Sequence, residues 1–208
     1  MTEPTATRKR NARGEGDRLR DDLIRSTLDV LARSGDPDDV SLRAVAKAVG
    51  VSPTAAYRHF EDRDALIEAA CQACFDDFSE RMLEATIAVP DPFDRLRAAG
   101  AAYIAYASEQ DGHYRVLFSN PAPHDHEFDT TPDAAGSAFQ QLVALVTDCL
   151  AAGAKPPTSD DPVYLAFQVW TWMHGIADLH LSHPVLPWPP VEQLVADVAR
   201  ALGLDAPA

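Results

Sequence analysis

Apolar residues recur along this chain at intervals of three and four, the spacing that gathers them on one face of a helix. No stretch alternates apolar and polar positions over the length of a strand, and no internal repeat is present. A first helix is predicted from about Asp17 to Arg33, with Leu23, Thr27, Val30 and Leu31 inward and Gly35 stopping it. Two short helices follow between Ser41 and Phe60. A long helix is predicted from Asp62 to about Ala88, with Leu66, Ala70, Cys74, Phe78 and Leu83 on its apolar side. The Pro90-Asp91-Pro92 run ends it. Further helices are predicted over Pro92–Glu109 (Phe93, Leu96, Ala99, Tyr103, Tyr106), Gly112–Phe118, Pro132–Ala152 (Phe139, Leu142, Leu145, Val146, Leu150), Pro162–Ser182 and Val191–Leu202. Residues 119–131 and 153–161 read as loops. The pattern predicts an all-α chain of about nine helices.

The pair of short helices carries the most specific pattern. Ser41 and Ser52 stand where hydroxyls cap helix starts, and Pro53 follows at a first helical position, where its missing N–H costs nothing. Gly50 between them suits a left-handed turn. Leu42, Val45, Ala46 and Val49 form one apolar face, over which Val51, Ala56 and Phe60 close. Two helices sharing such a wedge across a glycine turn form a helix-turn-helix. The outward side of the second, Pro53 to His59, carries Pro53, Thr54, Ala55, Arg58 and His59, groups able to reach a DNA groove. Ordinary αα-hairpins share this plan, so the pair by itself leaves both readings open.

The residues after it narrow the choice. Ser41, Val45-Ala46, Gly50-Val51-Ser52, Tyr57, His59, Phe60 and Leu66 stand at the positions of the DNA-binding signature of the TetR family, which this segment resembles. Thr54 replaces the usual Gly, Ala56 an apolar residue that is often Leu, and Arg63 the usual Lys. Arg63 keeps the charge, Thr54 makes the operator sequence non-transferable from relatives, and Ala56 leaves core volume for a neighbour to refill. The resemblance implies a three-helix head and a C-terminal bundle for ligand binding and dimerisation. It also implies a homodimeric repressor on a palindromic operator, released by a small-molecule effector. The run Trp170-Thr-Trp-Met-His174-Gly175 also resembles the Trp-x-x-x-His-Gly signature of one TetR C-terminal subclass. The expected organisation is a disordered basic arm at 1–16, a DNA-binding domain at 17–61 and a ligand-binding and dimerisation domain at 62–208.

Charge fits this division. The net charge is −14, yet residues 1–66 hold 12 Lys/Arg against 12 Asp/Glu, while residues 67–208 hold 6 against 20. The whole acidic excess lies beyond the helix-turn-helix, where it repels DNA. The tail Arg8-Lys9-Arg10-Asn11-Ala12-Arg13 is basic and suits phosphate contact. No apolar run is long enough to span a membrane and no apolar segment follows the basic start, so a cytoplasmic location is expected.

Candidate sites follow. Ser41, Tyr57, His59 and Arg63 are candidates for phosphate contact, and Pro53, Thr54, Ala55 and Arg58 for base edges. Tyr103, Tyr106, Phe139, Trp170, Met173 and His174 are candidates to line an effector pocket, apolar with a few polar anchors. In the TetR family the last two helices form the dimer interface. Here Gly175, whose position in a helix suggests close approach by a neighbour, joins Leu194, Val198 and Leu202 as interface candidates. No catalytic cluster, metal set or cofactor motif is present, so neither enzyme activity nor a cofactor is expected. The alternatives are a small helical enzyme, a helical adaptor that does not bind DNA, and a metal- or redox-sensing regulator using the Cys71-Gln-Ala-Cys74 pair. His124/His126 and His180/His183 are weaker ligand pairs.

Overall fold

The computed structural model describes residues 15–118 and 134–207. The basic arm at 8–13, His124, His126 and Pro132 lie outside them. Among the described residues there are nine α-helices, one 3-10 turn and no strand. The chain divides into two compact units, Met1–Ala70 and Cys71–Ala208, with the division inside the fourth helix.

In the first unit α1 spans Glu15–Ser34. It buries Leu23, Ile24, Thr27, Leu28 and Leu31. Val30, expected inward, is half-buried, because the stripe turns through Ile24 and Leu28 instead. Thr27 is accommodated because its hydroxyl donates to Leu23 O at 2.9 Å. Gly35, at φ +69°, ends the helix. A 3-10 turn, Pro37–Asp39, is capped by Asp36, whose carboxylate accepts from Asp38 N at 2.8 Å.

α2 spans Leu42–Val49. Ser41 holds the extended backbone of a cap residue, but its hydroxyl makes no capping hydrogen bond. Gly50 (φ +79°) donates to Lys47 O, and Val51 N reaches back to Ala46 O at 2.9 Å. These paired bonds form a Schellman motif, which satisfies two helix-end carbonyls while the chain reverses. α3 is a single turn, Pro53–Ala56, capped by Ser52 Oγ accepting from Ala55 N at 3.3 Å. The helix expected through His59 ends earlier: from Arg58 the bonds tighten to three-residue spacing, His59 N to Ala56 O at 2.9 Å. Leu42, Val45, Ala46, Ala56 and Phe60 are buried as expected, and Val49 and Val51 are half-buried. The Arg20 guanidinium lies 5.3 Å over the Phe60 ring. Asp62 caps α4, Arg63–Ile87, by accepting from Ala65 N at 2.8 Å.

The second unit holds the rest of α4 with α5 (Pro92–Glu109), α6 (Asp111–Phe118), α7 (Ala134–Ala151), α8 (Pro162–Ser182) and α9 (Val191–Ala201). Asp91 and Asp161 cap α5 and α8, each followed by a helical proline, which fixes both starts where the sequence placed them. α5 is central and packs on α6, α7, α8 and α9. Gly100 makes this possible. A methyl group there would lie 2.9 Å from Val195 Cγ1 and 3.1 Å from Met173 Sδ. Gly175 is exposed, with open space around it within its own chain. Val198 and Leu202, expected at a partner surface, face inward in their own chain, and Leu194 is half-buried. Leu83, expected inward, is 49% exposed.

Candidate nucleic-acid interface and effector cavity

On the head, Ser52 and Gly50 set the direction of the turn that follows α2. Pro53, Thr54, Tyr57 and Arg58 are exposed beyond it, with Ala55 and His59 half-buried, and Ser41 is exposed at the start of α2. Arg43 and Lys47 are exposed on α2 and add positive charge. Arg63 is already engaged: Nη1 meets Asp38 Oδ1 at 3.0 Å and Nε meets Asp64 Oδ1 at 3.1 Å. Hydrogen bonds to Asp64 and then Asp38 hold its pKa above the ordinary guanidinium value. A phosphate at Arg63 must therefore share the side chain with two carboxylates.

The second unit encloses a cavity of about 790 Å³. Tyr103, Phe139, Trp170 and Met173 line it. Phe78 stacks edge-on against Tyr103 at 5.5 Å and Phe118 at 5.8 Å, and Phe139 lies 5.8 Å from Trp170. Tyr106 and His174, predicted to line it, do not. Tyr106 is buried behind Phe78, its hydroxyl 3.6 Å from Cys74 Sγ. His174 sits behind Tyr103, with Nδ1 2.6 Å from the Tyr103 hydroxyl and 3.1 Å from that of Tyr114. Burial pushes the Tyr103 phenol above its ordinary value, against hydrogen bonds from Tyr114 and Trp170.

Sequence reading missed Thr86, Arg95, Gln141 and Asp148 in the lining. Arg95 donates from Nε to Val89 O (3.0 Å), from Nη2 to Pro90 O (3.0 Å) and from Nη1 to Asp148 (2.9 Å). Residues 53 apart form that last pair, and no local pattern announces it.

Cys74 is buried, and burial pushes its thiol up to about 12, so at neutral pH it stays protonated and is a poor nucleophile. Among the described residues no three His, Cys, Asp or Glu side chains gather as metal ligands. His180 stacks on Trp188 at 4.2 Å and His183 Nδ1 lies 2.8 Å from Ser182 Oγ, so each is held by local contacts.

A head built around a helix-turn-helix and a helical unit around an apolar cavity define a ligand-responsive regulator class. Known proteins place it further. Residues 23–70 match the family model of the bacterial regulatory proteins, TetR family, and residues 96–202 match the tetracyclin repressor-like C-terminal domain. The chain belongs to the TetR family. It is 27% identical over 118 residues to the HTH-type transcriptional regulator Rv1816 of Mycobacterium tuberculosis, an alignment covering 55% of this chain and 48% of that protein. The chain thus spans about half the length of the curated relatives it matches. A protein of unknown function from Rhodococcus sp. RHA1 superposes with a TM-score of 0.72 at 25% identity, covering 89% of this chain and 93% of the other. A TetR family transcription regulator from Marinobacter aquaeolei VT8 shares the fold, with a TM-score of 0.71 at 18% identity over 92% of this chain and 98% of the other. Among the described residues no helix is long and apolar enough to cross a membrane.

Proposed function

We propose that this chain is a cytoplasmic, homodimeric transcriptional repressor that binds a palindromic operator and is released by a small molecule in the C-terminal cavity. The exposed Pro53–Arg58 face behind the Gly50 turn, on a head matching the family model, carries this reading. Ser41, Tyr57, His59 and Arg63 act at phosphates; Pro53, Thr54, Ala55 and Arg58 act at base edges. Two heads give the affinity that one small head lacks. Residues 17–61 serve DNA binding, and residues 62–208 serve ligand binding and dimerisation. The proposal extends to the Trp-x-x-x-His-Gly subclass for the C-terminal part, on the Trp170, His174 and Gly175 run. Its support is that Trp170 and His174 both hydrogen-bond with Tyr103 at the cavity wall. No catalytic role is assigned to any residue, and the chain acts by binding.

α4 belongs to both units, which supports it as the route of coupling. A ligand that favours the DNA-free setting of α4 weakens operator binding, and tenfold needs only about 1.4 kcal/mol. The test is selection of duplexes from a random pool, followed by titration of the selected site. Arg58→Ala is expected to cost roughly 1–3 kcal/mol and to relax discrimination at one base position. Selection that recovers no palindrome, with full affinity retained by a Tyr57→Ala, Arg63→Ala double variant, rejects the docking.

A further inference from the structure

We propose that the cavity takes an elongated, uncharged amphiphile, its tail among the aromatic rings and a hydroxyl or carbonyl head beside Arg95 and Asp148. The inference rests on the regulator reading only in naming this molecule the effector. The cavity is long. Its wall on α4 runs from Phe75 to Ile87, about 18 Å at the rise of an α-helix. Its volume of about 790 Å³ is that of a site for one small molecule. It is also one-sided. Phe75, Phe78, Tyr103 and Phe118 pack their rings together at one end. Thr86, Arg95 and Asp148 lie with Val89 and Pro90 at the other, where Ile87 is 77% exposed.

Charge then selects the head. Among the described residues the charged members of the lining are Arg95 and Asp148, and they are bonded to each other. The two carbonyls that Arg95 also holds fix it in place. Its guanidinium has further N–H groups to donate, and a carboxylate has lone pairs to accept. A carboxylate ligand would sit beside Asp148 or displace it, and an ammonium ligand would sit beside Arg95, so either meets a like charge of a pair that is already neutral as a whole. A neutral hydroxyl or carbonyl uses the pair without breaking it. The Thr86 hydroxyl donates to Met82 O and Leu83 O and so turns only lone pairs outward, and Gln141 adds a neutral amide. At the far end the Tyr103 hydroxyl is engaged with His174 and offers no rival anchor.

The test uses three probes with one tail, dodecanol, dodecanoate and dodecylammonium, each below its micelle concentration, titrated by calorimetry into the full chain. The alcohol is expected to bind about tenfold more tightly than either ion. Asp148→Asn should raise dodecanoate affinity by about tenfold while leaving the alcohol within about threefold, because Arg95 then lacks a counter-charge. Dodecanoate or dodecylammonium equalling the alcohol, or no binding by any probe, overturns the inference. A ranking unchanged in Asp148→Asn also overturns it. If that variant does not fold, the wild-type ranking decides. Operator titration alongside separates the two readings: the expected ranking with operator affinity untouched by dodecanol rejects induction alone. Intact operator binding with no probe bound rejects the neutral amphiphile alone.

Discussion

At the scale of single residues, Arg63 on the head is shared between Asp38 and Asp64. Both carboxylates are exposed, so each pair is individually weak, but in the proposed docking both would compete with a phosphate for Arg63. Asp38→Asn is therefore expected to tighten operator binding by about two- to fivefold in low salt, the gain fading as salt rises. Loss of affinity, or a gain that ignores salt, would mean that Asp38 only shapes the head. Cys74 gives a second prediction. Burial holds its folded pKa near 12, above the ordinary 9.0, so the folded state keeps a proton that the unfolded chain gives up. Its contribution is fully present below pH 9 and is lost as pH rises towards 12, by the order of 4 kcal/mol at most. Tyr103, Tyr106 and Tyr114, all raised by burial, add a loss of the same sign from about pH 10. Urea midpoints measured from pH 8 to 11 should fall, and fall less steeply in Cys74→Ala.

Among the elements, two helical glycines, Gly100 and Gly175, meet opposite surroundings. Gly100 stands where α5 meets Val195 of α9 and Met173 of α8, so Gly100→Ala must push aside packed atoms and should cost roughly 1–3 kcal/mol in chemical denaturation. Gly175→Ala meets nothing within the chain and should raise stability by up to about 1 kcal/mol through helix propensity. Gly100 sits in a run of alanines, Arg97-Ala-Ala-Gly-Ala-Ala102, where nothing in the sequence separates a close crossing from a flexible stretch. The starts of α5 and α8 were legible because an aspartate and a proline mark each locally. The end of α3 was not, since Tyr57-Arg58-His59 has no breaker and its tightening follows from the packing of Ala56 and Phe60. The aromatic half of the cavity was legible from ring content. Its polar end was not, because Arg95 and Asp148 meet only after α5 and α7 pack. Tyr106 and His174 read as wall residues by type, yet each lies one layer behind it.

For the whole molecule, the proposed dimer needs a surface, and α8 offers one. Tyr164, Trp172 and Leu179 are about half exposed along it, with Thr171 and Gly175 exposed between them. Trp172→Glu is expected to give a folded monomer by sedimentation, with helical content unchanged and operator binding weakened. Val198→Glu would place a charge at a position only 7% exposed and should fail to fold, so it cannot report on association. The closure of the second unit has a consequence for synthesis. Arg97 finds its partner Asp205 across 108 residues at 2.7 Å, Lys155 N bonds Gly203 O, and Leu204 is fully buried beside them. The head instead closes over short spans, Arg63 reaching back 25 residues to Asp38. Short closures form early and long ones wait, so the head should mature on the ribosome while the bundle is still being made. A chain broken off before Leu204 is then expected to carry a finished head with no working receiver and no second head beside it, folded yet too weak a reader to hold an operator.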